Sequence, residues 1–288
     1  MFSSAVKAAT QFTRAVIVSY VDGAGACHSA MGTYIVVNDQ GWILTAFHLV
    51  ELYQKLTDAK AQMQQYQQQR LAIEHDATLN DWQRKKKLHK LGPPRKEWVQ
   101  DFSFWWQHTA WKMDTAHVIK EADIALCHLS GFDPAAVGGY PTFKDPSKAI
   151  DAGTSLCRLG FPFLEVKPQY ANGQFQLGTL TLTYFPNEGI LTRIVAVRDD
   201  PRDFIGFIET SSPGLRGQSG GPIFDSKGIV WGIQSHTGHL PLGFSPPIPG
   251  GNAGEVEHQF LNVGRGAHPA TIVGLLTKFN VVHTISAY

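Results

Sequence analysis

A serine inside a glycine-rich turn is the first residue of this sequence whose surroundings suggest chemistry. Ser219 lies in Gly217–Pro222, which reads GQSGGP and is followed by a hairpin pattern. A serine hydroxyl is a poor nucleophile unless a neutral imidazole takes its proton, and a carboxylate must hold that imidazole in the correct tautomer. The glycines allow a tight turn whose main chain comes close to a substrate. The backbone N–H groups of Gly217 and Ser219 are therefore the natural donors to an oxyanion.

A histidine and an aspartate complete this chemistry in two other segments. His48 follows the apolar hairpin strand GWILTA, and Asp123 begins the apolar strand DIALCHL. Each residue alone also fits a purely structural role. Taken together with the serine turn, they predict a triad in which Ser219 is the nucleophile, His48 the general base and then acid, and Asp123 the group that orients His48.

The motifs TA-x-H, D-I-A-L and G-x-S-G-G-P, in this order, resemble those of the trypsin/chymotrypsin superfamily of serine peptidases. The resemblance covers roughly residues 12–48 and 116–237. The lack of cysteines beside His48 is similar to the bacterial, HtrA-like branch. This resemblance implies a mainly β fold of two six-stranded antiparallel barrels of chymotrypsin type. It implies no metal or organic cofactor, and it places His48 and Asp123 on the first lobe and Ser219 on the second.

The residue before the serine and a residue upstream of it depart from the family pattern. Gln218 stands where many trypsin-like enzymes carry an aspartate that pairs with a freshly cut N-terminus, so activation by N-terminal cleavage is not expected. Pro213 stands where enzymes specific for Arg or Lys carry an acidic residue. No acidic residue lies between Ser211 and Ser219. A small or medium apolar residue is therefore the predicted P1, the residue immediately before the cleaved bond.

One further strand resembles the segment that pairs with the substrate backbone in the family. It reads GIQSHT, and it makes Ser235, His236 and Thr237 candidate substrate-binding residues together with Pro213. For His236, an ordinary loop histidine is an equally good interpretation.

The elements that position these residues are mostly strands. Short β-branched and aromatic runs before His48 and after Ala116 alternate with turn residues, which is typical of an all-β fold. The runs that predict strands are AVIVSYV, TYIVVN, WILTA, HVIKEADIALCHL, TSLCRLGF, QFQLGTLTLTYF, ILTRIVAV and FIGFIET. Residues 238–254 are punctuated by Pro and Gly and predict a loop. The apolar pattern ATIVGLLTKF predicts a C-terminal helix.

The residues between His48 and Asp123 predict a helical insert. Apolar residues recur at three- and four-residue steps over 49–66, and a second helical pattern covers 79–91. The stripe favours a helical hairpin within the chain over association between chains. Trp82, Trp98, Trp105, Trp106 and Trp111 form either a small core under these helices or an aromatic surface patch. The basic run at 84–87 fits a solvated helix face better than a nucleic-acid site.

The composition gives no support for a nucleic-acid-binding, membrane or metal-binding protein. The 288 residues are 43% hydrophobic and 17% charged, with a net charge of +1, which gives no general argument for nucleic acid or an anionic membrane. The N-terminal stretch contains Lys7 and Arg14 and predicts neither a signal peptide nor a membrane span. Cys27, Cys127 and Cys157 show no metal-ligand spacing and are expected to be reduced, buried thiols. Cytoplasmic localisation is the expectation.

The predicted organisation is one peptidase domain over residues 1–288. Its parts are a first barrel lobe at 12–130 containing the insert 49–115, a second lobe at 150–237, and a loop and C-terminal helix at 238–288. The leading hypothesis is a serine endopeptidase that acts on polypeptides, with the insert as a surface for a second copy or a regulatory protein. The alternative is a catalytically silent module of the same fold that holds a protein partner. A nucleic-acid-binding protein acting through the basic insert is disfavoured, and no membrane partner is expected.

Overall fold

Strands before, within and after the predicted insert 49–115 build the first sheet, so only the helical part of that range is inserted between its strands. The computed structural model describes residues 2–108, 110–246, 248 and 256–288. The strands of the first sheet are β1 (Thr13–Asp22), β2 (Cys27–Val36), β3 (Trp42–Ala46), β4 (Val99–Trp105), β5 (Lys112–Ile119) and β6 (Ile124–Ser130). They pair antiparallel in the order β4-β1-β2-β3-β6-β5. This curled six-stranded sheet is the predicted first lobe, and a short helix, α1 (Ser3–Ala9), precedes it.

The second sheet contains a closed six-stranded antiparallel barrel. The strands of this sheet are β7 (Thr142–Phe143), β8 (Ser155–Arg158), β11 (Asn187–Arg198), β12 (Ile205–Thr210), β13 (Pro222–Phe224), β14 (Val230–Pro241), β15 (Phe260–Ala267) and β16 (Thr284–Ile285). The strands β9 (Gln169–Ala171) and β10 (Gln174–Gln176) form a separate hairpin. Six of them run β13-β8-β11-β12-β15-β14, and pairing of β13 with β14 closes the ring. The short strands β7 and β16 extend the sheet by parallel pairing. The prediction of a mainly β, double-barrel fold is confirmed.

Two helices form the insert. They are α2 (Phe47–Glu74) and α3 (Asp81–Leu91), so α2 continues eight residues beyond the predicted stripe. The first of them, α2, packs against the first sheet, and α3 lies against α2. Leu49, Leu56, Met63 and Tyr66 are the buried residues of α2, which confirms the helical stripe. Asn80 begins α3 with a reciprocal capping box to Gln83.

The insert tryptophans divide between core and surface. Trp106 and Trp111 are buried in one cluster with Leu49, as predicted for a small core under the helix. Trp82 is 68% exposed on α3, where the Lys86 ammonium lies over its ring. The lysines at 85–87 are exposed, as expected for a solvated helix face. Binding of a second copy or a regulatory protein by the insert stays a prediction.

Several local predictions are corrected by the structure. The run TLTLTYF, residues 179–185, forms no strand, because these residues find no partner strand within the described part of the chain. HVIKEADIALCHL forms two strands joined by a single helical turn, Lys120–Ala122. Residues 238–241 belong to β14 rather than to a loop, because they pair with β15, a strand that was not predicted. Most of the remaining predicted loop, 247 and 249–254, lies outside the described residues. Cys27 is exposed, whereas Cys127 and Cys157 are buried free thiols.

A continuous apolar core joins the two barrels. It contains Leu44 and Leu126 from the first sheet, Ile233 from the second, and Ile272 and Leu276 from α4 (Pro269–Lys278). The predicted C-terminal helix is therefore confirmed, and it closes the core between the lobes. Within the described residues, no helix combines the length and hydropathy needed to cross a membrane.

Helix α4 begins at a buried histidine whose charge state sets a pH limit on stability. His268 is 6% exposed, and its Nδ1 accepts a hydrogen bond from Ala270 N, 3.1 Å away. Among the described residues its Nε2 has no hydrogen-bond partner. Burial lowers the pKa of His268 to about 4, because the interior disfavours the charged form.

We expect the free energy of unfolding to fall as pH drops from about 6.5 towards 4. In this range His268 binds a proton in the unfolded chain but stays neutral in the folded protein. The loss is about 3 kcal/mol over this range. Urea unfolding of the wild type and His268→Asn at pH 7 and pH 4.5 measures it. Asparagine also caps helices, so the variant should lose less stability on acidification. An equal loss in both proteins would contradict the prediction.

Candidate active site

Asp123 occupies a strained position between a helical turn and an apolar strand. Its φ is 49°, in the left-handed region, directly after the turn Lys120–Ala122 and directly before β6. Aspartate adopts this region more readily than most residues do. The strand itself is apolar and buried because it lies between β3 and β5 and its side chains belong to the core clusters. The carboxylate is thus held at the end of a rigid strand and faces the junction of the two barrels.

His48 lies in the first turn of α2, directly after β3. Pairing of Ala46 with Ile124 brings the ends of β3 and β6 together. The His48 backbone N–H then donates to Asp123 Oδ1 at 2.9 Å, and His48 Nδ1 lies 2.9 Å from Asp123 Oδ2. The imidazole side chain is 44% exposed, so its other edge faces the cleft. The structure therefore brings these two predicted residues together as an imidazole oriented by a carboxylate.

Asp123 keeps its negative charge despite its surroundings. Burial raises the pKa of this carboxyl group, but the hydrogen bond from His48, the charge of His48 and the hydrogen bond from Ser235 lower it. The sum holds the pKa of Asp123 below its usual range. An ionised Asp123 can stabilise a positive charge on His48.

Ser235 lies between the nucleophile turn and this carboxylate. Its hydroxyl donates to Asp123 Oδ2 at 2.6 Å, and its carbonyl accepts a hydrogen bond from Ser219 Oγ at 3.3 Å. The sequence makes Ser235 a candidate substrate-binding residue, which stays a prediction, and in the structure its side chain contacts Asp123. This one residue connects Ser219 to the His48–Asp123 pair.

The turn that carries Ser219 is bound to both barrels. The Ser219 carbonyl accepts from Thr33 N of the first sheet at 2.8 Å, and Gly220 N donates to Gln234 O of the second at 2.7 Å. Gly217 and Gly220 have φ values of 98° and 85°, which glycine adopts without strain. The serine is therefore presented at the junction between the lobes.

Two backbone N–H groups of this turn are free to bind an oxyanion. Among the described residues, neither Gly217 N nor Ser219 N donates to a protein acceptor. Between them, Gln218 is fully buried, and its side chain accepts from Leu215 N at 2.9 Å and donates to Phe185 O at 3.2 Å. These bonds hold the turn in place without an ion pair. The two predicted donors thus flank a rigidly held residue.

The other predicted substrate-binding residues surround this turn. His236 Nδ1 lies 2.8 Å from Ser235 Oγ, and partial burial and the nearby Arg265 guanidinium lower the pKa of His236. Thr237 Oγ1 donates to Gly214 O at 2.6 Å. The Pro213 carbonyl accepts from Asn187 Nδ2 at 2.9 Å. All three residues lie in the two segments beside Ser219.

Sequence reasoning missed two threonines that position the nucleophile turn. Thr33 Oγ1 donates to Gly217 O at 2.7 Å, and Thr45 Oγ1 donates to Thr33 O at 2.8 Å. Both are fully buried. Their only signal in the sequence is a polar residue within a buried strand, which alone does not identify its partner.

An apolar groove of about 440 Å³ opens beside Gly217. Its apolar lining includes Met31, Phe161, Phe163 and Leu215, and the carboxylate of Glu165 and the guanidinium of Arg216 also line it. This groove offers room for part of a polypeptide beside the nucleophile turn. Within the described residues, no three His, Cys, Asp or Glu side chains group as metal ligands.

Comparison with known proteins identifies the family. Two solved structures of the protease Rv3671c of Mycobacterium tuberculosis are similar to this chain, each with a TM-score of 0.47 and covering 98% of it. The inactive form of a serine-to-alanine mutant is 12% identical and the active form 11%, with 93% and 86% of those chains covered. No curated protein matches. The model of the trypsin-like peptidase domain matches residues 32–233, more than half of the sequence, and the chain therefore belongs to the trypsin-like peptidase family.

Proposed function

We propose that this peptidase is a serine endopeptidase that hydrolyses polypeptides through an acyl-enzyme on Ser219. The observation that supports it best is the connected cluster around Asp123. His48 Nδ1 lies 2.9 Å from the carboxylate, and Ser235 links the same carboxylate to Ser219. The proposal treats residues 1–288 as one peptidase domain, since the apolar core joins both lobes with α1 and α4.

The first half of the reaction forms an ester on Ser219. The hydroxyl turns from the Ser235 carbonyl towards His48 Nε2, which takes its proton as the oxygen attacks the scissile carbonyl carbon. Negative charge moves to the carbonyl oxygen, where the N–H groups of Gly217 and Ser219 stabilise it. The imidazolium, stabilised by ionised Asp123, then donates its proton to the leaving amine as the C–N bond breaks.

The second half of the reaction returns the enzyme to its starting state. His48 takes a proton from a water molecule that attacks the ester carbonyl, and the same two N–H groups stabilise the second oxyanion. Collapse breaks the bond to Ser219 Oγ, which recovers its proton from His48. The products are a peptide with a new carboxylate and a peptide with a new amine.

Labelling with a fluorophosphonate tests this proposal, because such a probe modifies a serine only when an activated hydroxyl attacks it. We expect one adduct per chain, found by mass spectrometry on the peptide that contains Ser219. The adduct should be absent in Ser219→Ala and retained in Ser226→Ala, a change in the β13–β14 turn. An unlabelled wild type that stays folded would favour the silent binding module instead.

A further inference from the structure

The strand β14 continues past the candidate active site as an edge strand. Its first residues pair with β13 and β7, and the backbone of Gln234 bonds to the nucleophile turn. Over residues 235–241, β15 is the only partner strand of β14 among the described residues. An edge strand carries N–H and C=O groups that can pair with another extended chain. The main chain of 235–241 therefore has one free side, which we call the outer edge of β14.

The hydrogen-bond pattern of β14 with β15 decides which backbone groups face this outer edge. Leu242 N donates to Gln259 O at 3.0 Å, so residue 242 turns its main chain towards β15. The register is unbroken back to residue 236. Because successive residues of an antiparallel strand turn to opposite sides, residues 240 and 238 also face β15. Thr237 and His239 therefore direct their N–H and C=O groups towards the outer edge.

The other side of β15 gives the same assignment. His268 N donates to Gly206 O at 2.9 Å, and the register of β15 with β12 continues from this bond to Gly264. Gly264 thus turns its main chain to β12 and away from Thr237, its neighbour in β14. Thr237 is half-buried and His239 is exposed, and no described group outside the sheet bonds to the main chain of either residue. Both residues are therefore available to an added strand.

A substrate that reaches the candidate nucleophile is already beside this edge. Ser219 Oγ donates to Ser235 O at 3.3 Å, so the carbonyl that Ser219 attacks belongs to a residue next to Ser235. Antiparallel pairing is the more stable orientation for an added strand. In that orientation P1 lies beside Ser235, P3 opposite Thr237 and P5 opposite His239, where P2, P3 and so on count from P1 towards the N-terminus.

The β14–β15 pair also presents an apolar face beyond the active site. Residues directly opposite one another in a pair have side chains on the same face, and Leu240 lies opposite Leu261. Leu242, two residues after Leu240, lies on that face as well. Leu242 is 43% exposed and Leu261 is 48% exposed. These three residues form what we call the leucine face, and a P6 residue opposite Leu240 would place its side chain there.

We propose that this peptidase binds the P1–P6 stretch of its substrate as an added strand on the outer edge of β14, with an apolar residue at P6. The inference rests on the proposed function, which supplies P1. The main chains of P3 and P5 exchange hydrogen bonds with Thr237 and His239, and the P6 side chain packs on the leucine face. Pro241 has no N–H, so the pairing ends there. The substrate class is an unfolded polypeptide segment, because a folded helix or sheet has already paired its backbone groups.

Peptide binding to the full-length Ser219→Ala variant tests the proposal without requiring catalysis. The probes are the N-acetylated peptide amides Ala-Ala-Ala and Leu-Thr-Ser-Ala-Ala-Ala, which end at the same P1 alanine. By titration calorimetry we expect the hexapeptide to bind about 10-fold or more tightly than the tripeptide. The reason is that it adds the two hydrogen bonds of P5 and the apolar contact of P6.

N-methylation of the hexapeptide at one position at a time tests the register. A methyl group on the P5 nitrogen removes an N–H that the proposal pairs with His239, whereas the P4 N–H faces away from β14. We expect binding to weaken about 10-fold with the methyl group at P5 and less than about two-fold with the methyl group at P4. The two peptides differ only in the position of one methyl group, so this result does not depend on the folding of any further variant.

Two substitutions in the Ser219→Ala background assign the binding to this surface. His239→Pro removes the outward N–H but no bond to β15, so the advantage of the hexapeptide over the tripeptide should fall several-fold. Leu261→Ser should remove the preference for Leu over Asn at P6. Leu71→Ser is the matched control for the latter, since Leu71 of α2 is 52% exposed, and it should keep that preference. Thermal unfolding verifies that each variant is folded.

Three outcomes would overturn the proposal: equal binding of the tripeptide and the hexapeptide, equal losses from methylation at P4 and P5, or an unchanged P6 preference in Leu261→Ser. Failure of the fluorophosphonate reaction at Ser219 would instead refute the proposed function. Peptide binding to Ser219→Ala does not depend on that reaction, so the two failures are distinguishable.

Discussion

Asp123→Asn should lower kcat of this peptidase by about 10⁴-fold while leaving KM within a few-fold. The carboxylate accepts from His48 Nδ1 at 2.9 Å and keeps the unprotonated Nε2 directed at the cleft. An asparagine can present its NH₂ group to Nδ1, which favours the tautomer with the proton on Nε2, and that tautomer cannot accept the proton of Ser219. It also removes the negative charge that stabilises the imidazolium in the transition state. Binding of substrate by the cleft is not affected by either change.

A matched control is available on the same sheet. Asp114 lies 2.9 Å from His128 Nδ1, so it forms the same kind of aspartate–histidine pair away from Ser219. Steady-state kinetics on one peptide substrate should show Asp114→Asn close to the wild type. A loss below about 10-fold in Asp123→Asn, or equal losses in both variants, would exclude Asp123 as the residue that orients His48.

Gly220→Ala should be the most damaging single-methyl substitution near the site. Gly220 has a φ of 85°, and an added Cβ would lie 2.0 Å from Thr33 O and 2.4 Å from Thr45 Oγ1. These atoms belong to the first sheet, so the turn can relieve the clash only by moving away from that lobe. We expect the free energy of unfolding to fall by about 3 kcal/mol or more, since overpacking and left-handed strain each cost about 1–3 kcal/mol. Ser219 should also lose its fluorophosphonate reaction.

Gly228→Ala separates backbone strain from the clash. Gly228 has a similar φ, 82°, but the atom nearest to an added Cβ there is Ala8 Cβ at 3.6 Å, an ordinary contact. This variant should lose about 1 kcal/mol of stability from strain alone and keep its activity. Urea unfolding of both variants measures the difference. Equal losses would show that the contact between the nucleophile turn and the first sheet is not tight.

Features that depend on neighbours in the chain were predicted from the sequence. The glycine-rich turn around Ser219, the strand ending before His48 and the apolar strand after Asp123 each depend on local residue types. The stripe of α2 likewise depends on apolar residues that recur every three or four positions. Such elements can be predicted from the sequence because the residues that stabilise them lie within a few positions of one another.

Strand pairing could not be predicted from residues that are close together in the sequence. The run TLTLTYF has the alternation of a strand but pairs with no strand in the described part of the chain, whereas β15 pairs along β14 and completes the second barrel. A strand is stabilised by hydrogen bonds to a neighbour that is often distant in sequence. The alternation is therefore compatible with a strand without being sufficient for one.

The candidate active site also has a part that the sequence determined and a part that depends on the tertiary structure. The sequence determined the three residue types that could perform peptide hydrolysis, and the structure places His48 and Asp123 in contact. Only the tertiary structure decided that Ser235, 112 positions from Asp123, donates to that carboxylate. It also decided that Arg158 donates to Gln234, 76 positions away, and has no ion-pair partner among the described residues. The reason is physical: a side chain's chemistry is set by its type, but its hydrogen bonds and unpaired charge depend on contacts that form only when distant strands pack together.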